Sequence, residues 1–251
     1  MTMMELGVLK PAPPNLPILV ANSPDIDYPF SVIPPQLTSC GPIVRAAPRL
    51  ADVDPDLAEW ISRGPTVYVN LGTHHKSNPT EAYEMAKALN KVLEKDEEWG
   101  VTEKPLQVLW KLGRKPNQKE CNALEPDSYS GEWLWVTDTL QKYIKGDRAR
   151  VTDWLVAEPN AGIPQVLLPA WTDCYDFANR VELLGIGRWG NKKAKPRWTE
   201  GELSEAILAT LFGPDAVDIQ KTAKEVASRH PEWEGRQKAG GKILEYLQNA
   251  D

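Results

Sequence analysis

The chain has 251 residues, of which 41% are apolar and 25% charged, enough to bury a sizeable core in one large domain or two small ones. Lys and Arg (29) are outnumbered by Asp and Glu (35), giving a net charge of −6, and such a chain repels a phosphate backbone, which argues against nucleic acid as a partner. No apolar run reaches the ~20 residues of a membrane span, and Cys40, Cys121 and Cys174 are odd in number and lack metal-ligand spacing, so they read as reduced thiols of a cytoplasmic protein without a metal site.

Prolines crowd the first 65 residues, among them Pro11, Pro13, Pro14, Pro17, Pro24, Pro29, Pro34 and Pro35. That segment can be neither mainly helix nor central strand, and reads as an arm in extended pieces that wraps another surface. Within it Ile18–Ala21 is a short strand candidate, residues 33–47 read as a linker, and Asp54–Ser62 as a short helix. The first strong element is Thr66–Leu71, a β-branched and aromatic run that ends in Gly72-Thr73. Pro79 opens a helix through Leu93, with Ala82, Ala86, Leu89 and Leu93 at helical spacing. Leu106–Leu112 is the next strand, followed by a polar loop with Lys115, Pro116 and Asn117. Residues 131–145 are compatible with either strand or helix.

Farther along, Arg148–Trp154 and Pro164–Leu168 read as strands and Tyr175–Leu184 as a helix stopped by Gly185-Ile186-Gly187. The cluster Lys192, Lys193, Lys195 and Arg197 reads as a solvated loop. Thr199 caps a helix to Phe212, Pro214 starts one to about Arg229, and Glu234–Leu247 forms the last. Strands alternating with helices predict a parallel α/β sheet whose ligands sit at the carboxyl ends of the strands. The loops at 72–78, 113–118, 154–162 and 170–175 then line the candidate site. One stretch conflicts with this scheme. Only residues 155–163 separate the strand ending at Trp154 from the next, whereas a parallel crossover takes about a dozen or more residues, usually with a helix. Either the two strands are not both parallel members of one sheet, or a βα unit is missing.

Residues Gly162–Gly187, from Gly-Ile-Pro-Gln-Val-Leu-Leu-Pro through Trp-Thr-Asp-Cys to Leu-Gly-Ile-Gly, resemble the end of the donor-binding signature of family 1 UDP-glycosyltransferases, GVPxxxxPxxxDQ followed by a helix and LGxG. Thr66–Thr73 is similar to the first strand of that family's donor domain and its phosphate-side turn. Trp154 in Thr-Asp-Trp-Leu is similar to the tryptophan that begins the signature. Arg188-Trp189 and the later Trp198, Thr199, Glu202 and Leu203 resemble the fungal-type branch, and Ser39–Ile43 the segment joining the two family domains. The resemblance covers about residues 15–250.

It implies a GT-B architecture, with residues 1–45 as a remnant of the acceptor domain and linker and residues 46–251 as a Rossmann-like UDP-sugar-binding domain with C-terminal helices. It further implies that Trp154, with Leu155 beside it, stacks on uracil, that Gly72 and Thr73 face the diphosphate, and that Asp173 accepts from sugar hydroxyls. Cys174 stands where many members have Gln. Taken alone, each has a plainer reading: Trp154 a core aromatic, Thr73 a turn residue, Asp173 a helix cap. Between Trp154 and Gly162 the family carries a His-x-Gly-x-Asn-Ser stretch and a Glu that clamp phosphate and ribose, and neither is here. The family's catalytic histidine lies in the acceptor domain, near whose end Met1 falls, and His74, His75 and His230 match no catalytic position. His74 and His75 follow Thr73 at the ligand edge, as a phosphate contact or a solvated loop.

The resemblance thus implies a UDP-sugar donor, UDP-glucose for preference, a small lipophilic acceptor and no further cofactor, with catalysis not expected from this chain. The alternatives are a binding or regulatory remnant whose arm is covered by a protein partner, and a mis-spliced product. A nicotinamide-binding enzyme is disfavoured because no strand is followed by GxGxxG.

Overall fold

The computed structural model describes residues 16–44, 48–115, 131–153 and 162–248. The chain divides into two compact units, one of Met1–Ala46 with Val226–Asp251, the other of Ala47–Glu225. Among the described residues, no helix is long and apolar enough to cross a membrane.

The larger unit begins with α1 (Leu50–Val53) and α2 (Pro55–Ser62), where Asp54 caps α2 by accepting from the Leu57 N–H at 2.9 Å. Next come β3 (Thr66–Asn70), α3 (Pro79–Trp99), β4 (Gln107–Lys111), α4 (Gly131–Lys145) and β5 (Ala149–Thr152). These three strands form a parallel sheet in the order β3-β4-β5, with Val67 opposite Val108 and Leu109 opposite Arg150. All five residues of β4 are buried, as a central strand covered on both faces requires. The core joins Val108 and Trp110 of β4 to Ala82, Met85, Ala86 and Leu89 of α3 and to Val136 and Leu140 of α4. Residues 131–145, compatible with strand or helix by sequence, are therefore a helix.

Asn78 starts α3 with a reciprocal capping box: its Oδ1 accepts from the Glu81 N–H at 2.9 Å and its own N–H donates to Glu81 Oε2 at 3.0 Å. The apolar repeat predicts an end at Leu93, yet the helix continues to Trp99. The extension turns Asp96 into the core, where it is 4% exposed. Its carboxylate accepts from the Leu106 N–H at 2.9 Å, from Thr102 Oγ1 at 2.5 Å and from the Arg148 guanidinium at 3.1 Å. One side chain thus ties the end of α3 to the strands β4 and β5.

The second half of this unit holds β6 (Gln165–Leu167), α5 (Thr172–Leu183), β7 (Gly187–Trp189), α6 (Glu200–Phe212) and α7 (Ala216–Arg229), the last turn of which passes into the smaller unit. Among the described residues, strands β6 and β7 pair only with each other, in parallel. The glycines predicted as a helix stop also open β7, and a Cβ on Gly187 would lie 1.9 Å from the Gln165 carbonyl oxygen, so no other residue lets β7 approach β6 this closely. Residues 153–164 are all that separate β5 from β6. The two strands belong to different sheets, which is how the fold accommodates the short connection read in the sequence.

The smaller unit contains β1 (Ile18–Val20), a 3-10 turn at Pro24–Ile26, β2 (Leu37–Ser39) and α8 (Glu234–Gln248). The expected linker over 33–47 is thus interrupted by β2, which pairs in parallel with β1. Its prolines lie outside the three paired positions, so the ladder loses no donor. Asp25 binds His230 Nε2 at 3.1 Å and Arg229 Nε at 3.0 Å, joining the arm to the turn before α8.

Replacing Asp96 with Ala leaves the buried Leu106 amide without its acceptor and takes one carboxylate from Arg148, which keeps Glu97 Oε1 and the Leu106 carbonyl. The variant is expected to lose about 1–3 kcal/mol in guanidinium unfolding, with Asp96→Asn losing less. A change under about 0.5 kcal/mol, the range of ordinary surface substitutions, would contradict this placement of Asp96.

Candidate functional site

The carboxyl ends of β3, β4 and β5 open on one edge, and short-range bonds set its shape. The side-chain Oδ1 of Asn70, the last residue of β3, accepts from the Gly72 N–H at 3.0 Å. Gly72 sits at φ +81°, where a side chain is strained. The Gly72 carbonyl in turn accepts from Lys111 Nζ at 3.1 Å. Lys111 closes β4 and is only 9% exposed, so its ammonium is a fixed positive charge directly behind the turn. Thr73 follows on the outer side, exposed. Nothing in a lone lysine within an apolar strand singled Lys111 out in the sequence; the available signal was its position at the strand's carboxyl end, facing the Gly-Thr turn of the neighbouring strand.

The rest of the loop is fastened to its neighbour. The Ser77 N–H donates to the Gly113 carbonyl at 2.7 Å and the Lys115 N–H to the Ser77 carbonyl at 3.0 Å. The Leu112 N–H donates to the Thr152 carbonyl at 2.8 Å, so the three strand ends are held in step. A Cβ on Gly113 would meet the His75 carbonyl oxygen at 2.8 Å, which accounts for a glycine at this crossing.

His74 is exposed, while His75 is half-buried against the Trp198 ring, centroids 5.4 Å apart. The solvated loop does not describe His75: its Nε2 is buried, without a hydrogen-bond partner among the described residues. Burial lowers its pKa; Glu81 opposes that shift and Lys115 adds to it. The imidazole is therefore held neutral more strongly than a free one.

Asp173 and Cys174 occupy the first turn of α5, whose N-cap is Trp171. Asp173 is consequently not the helix cap; it lies one residue into the helix, exposed, where a carboxylate is favoured by the peptide dipoles. Cys174 is a free, partly buried thiol. The structure thus groups Gly72 and Thr73 with Lys111 and His75 on one edge, and sets Asp173 and Cys174 on a separate helix start. Trp154 and Leu155 lie outside the described residues, as do Pro116, Asn117 and Cys121.

No protein-family model matches the chain. It is 30% identical over 260 residues to glycosyltransferase sdnJ of Sordaria araneosa, an alignment covering 87% of this chain and 48% of that protein. The chain spans about half or less of the length of the curated relatives it matches. Among solved structures it is similar to apo UGT2 of Phytolacca americana, with a TM-score of 0.62 at 13% identity over 92% of this chain and 55% of that one. A UGT transferase from Siraitia grosvenorii, solved in complex with UDP, gives a TM-score of 0.57 at 15% identity over 84% of this chain and 50% of that one. These likenesses show the fold: parallel Rossmann-like α/β, as in the GT-B UDP-glycosyltransferases.

Two outcomes follow from this geometry. With the His75 pKa lowered in the folded state, its contribution to stability is complete above the ordinary imidazole value of about 6.5 and is lost as pH falls through the lower folded value. Urea midpoints measured from pH 8 to 5 should therefore drop on the acid side, and His75→Gln should flatten that slope; an unchanged slope contradicts the burial of His75. Lys111→Met should cost about 1.5–3 kcal/mol in the same assay, because the Gly72 carbonyl loses its charged donor, while an unchanged midpoint would show that the ammonium does not hold the turn.

Proposed function

We propose that the larger unit is the sugar-nucleotide-binding half of a UDP-glycosyltransferase, whose reaction moves a hexosyl group from a UDP-sugar to a hydroxyl of a small lipophilic acceptor. One observation carries this reading: of the two stretches that resemble the donor signature, Thr66–Thr73 runs along β3 into its turn and Gly162–Gly187 along β6 and α5 to the start of β7, in a parallel α/β fold like that of the GT-B enzymes, where ligands bind at the strands' carboxyl ends. The likeness to sdnJ over 87% of the chain supports it from the sequence side.

On this reading the Gly72-Thr73 turn contacts the diphosphate, with the Lys111 ammonium behind it lowering the cost of bringing two negative charges to the edge. Trp154 stacks on the uracil face. Asp173, exposed at the start of α5, accepts hydrogen bonds from sugar hydroxyls, and Cys174 takes the place of the amide usual in the family.

The chain itself is proposed not to transfer the sugar. Residues 155–161 leave no room for a histidine-glycine phosphate clamp between Trp154 and Gly162, and its absence removes several charge-assisted bonds worth ~1.5–3 kcal/mol each. At about 1.4 kcal/mol per tenfold, the remaining affinity for UDP is several orders of magnitude below that of a complete site.

Isothermal titration with UDP and with UDP-glucose tests both statements. Weak but saturable binding of each is expected, tighter for UDP-glucose, with that preference abolished by Asp173→Ala. Failure of either nucleotide to saturate contradicts the donor site. Release of UDP coupled to glycoside formation, followed by mass spectrometry with a panel of lipophilic alcohols, contradicts the absence of transfer.

A further inference from the structure

Three lysines meet where β3 and β4 end. The pairing of β4 runs on past Lys111: the Leu112 N–H donates to the Thr152 carbonyl at 2.8 Å, and Arg114 bridges Ser77 in parallel. Alternate residues of an extended run share a face. Lys111, Gly113 and Lys115 therefore fall on one side and Arg114 on the other, its guanidinium 5.4 Å from the centre of the Trp133 ring. Having no side chain, Gly113 leaves room for Lys76 to lie across the first side. A Cβ on Gly113 would stand 3.3 Å from Lys76 Cδ and 3.6 Å from its Nζ. The Lys111 ammonium reaches the Gly72 carbonyl, while Lys76 and Lys115 are exposed beside it.

Among the described residues no ion pair neutralises this charge. On α3, Lys87, Lys91 and Lys95 each reach a carboxylate, at 2.5, 2.9 and 2.5 Å. Lys76, Lys111 and Lys115 reach none. Glu81 is committed to the α3 capping box, and the exposed Asp153 after β5 pairs with none of the three. In a chain of net charge −6, the patch sets a local field of the opposite sign. Like charges gathered in one place repel, and an anion that spans them removes the repulsion. A single carboxylate meets one ammonium. A diphosphate spreads its acceptor oxygens and more than one charge over linked groups, enough to meet Lys76 and Lys115 together while Lys111 stays on its carbonyl.

We propose that Lys76 and Lys115 form a clamp for a diphosphate group at the ends of β3 and β4, with Lys111 as a fixed charge behind it. That this diphosphate belongs to a UDP-sugar rests on the donor-site reading above. The lysines by themselves specify only the diphosphate, free or within a nucleotide.

The test is isothermal titration of the whole chain with UDP, UMP and inorganic pyrophosphate, repeated on the double variant Lys76→Met/Lys115→Met. UDP and pyrophosphate are expected to bind saturably, and UMP at least about tenfold more weakly than UDP. The double variant should lose at least about tenfold for both diphosphates, with its circular dichroism unchanged because both positions are exposed. Lys76→Arg/Lys115→Arg, which keeps the charges, should recover most of that loss. Lys224→Met, exposed on α7, should leave the affinities as they are. UDP binding undiminished in the double variant, or UMP binding equal to UDP, overturns the clamp and leaves the donor site standing. Lysine-dependent binding of pyrophosphate without binding of UDP upholds the clamp and overturns the donor-site reading instead. Failure of all three ligands to saturate overturns both. An equal loss in Lys224→Met overturns the clamp in favour of a diffuse effect of charge. The comparison of UDP with UMP needs no variant, so it decides the matter even if the double variant misfolds.

Discussion

Two parallel strands can be neighbours in one sheet only if the chain between them is long enough to return along the sheet's full length, usually as a helix packed on its face. Residues 153–164 between β5 and β6 are at the lower limit of that requirement and include Pro159, Gly162 and Pro164. The architecture of the larger unit follows. The sheet breaks into β3-β4-β5 and β6-β7, and cohesion between the halves falls to side chains: Val67 and Leu71 of the first and Val166 and Leu168 of the second pack on one core with Leu203 and Ile207. A cavity of about 500 Å³, lined by Thr66–Leu71 and by Pro164, Val166 and Leu168, lies between the two halves.

The edge at the carboxyl ends of β3, β4 and β5, the candidate site, is built independently of that break. It lies at the ends of three strands that pair without interruption, and its loops are bonded to each other through Ser77, Gly113 and Lys115. Lys111 is the clearest link from packing to chemistry. The strand that buries it gives its ammonium one carbonyl to bind, so the charge is fixed at the turn rather than dispersed into solvent. On the proposed donor-site reading, a ligand with negative charge meets a donor already oriented, which is the condition for electrostatic recognition at low reorganisation cost.

Long elements with consistent local signals were legible in the sequence. The β-branched run Thr66–Asn70 is a strand, and the start signals Pro79 and Thr199 do begin α3 and α6. The break in the sheet was legible too, because it follows from chain length alone. Three-residue elements were not: β2 and β7 are too short to show alternation and are flanked by prolines or glycines that usually mean turns. Residues 131–145 were ambiguous because Trp133 and Trp135 alternate like a strand. The structure buries Trp133, Val136, Leu140 and Tyr143 and exposes Trp135, which is helical spacing. The end of α3 was missed because Glu94–Glu98 carries charges that no periodicity argument sends inward, and Asp96 goes there for its hydrogen bonds. Of the site, the Gly72-Thr73 turn came from local pattern, whereas Lys111 and His75 gain their roles only from strand register and from the approach of Trp198.

Amide hydrogen exchange of the free chain, resolved by residue, tests the interrupted sheet most directly. The account predicts strong protection throughout β4, which is paired on both sides, and alternating protection in β3 and β6, each of which pairs along one edge among the described residues. Uniform protection of β3 and β6 at the level of β4 would mean that the two strands pair with each other, that the sheet is continuous and that the account of this fold is wrong.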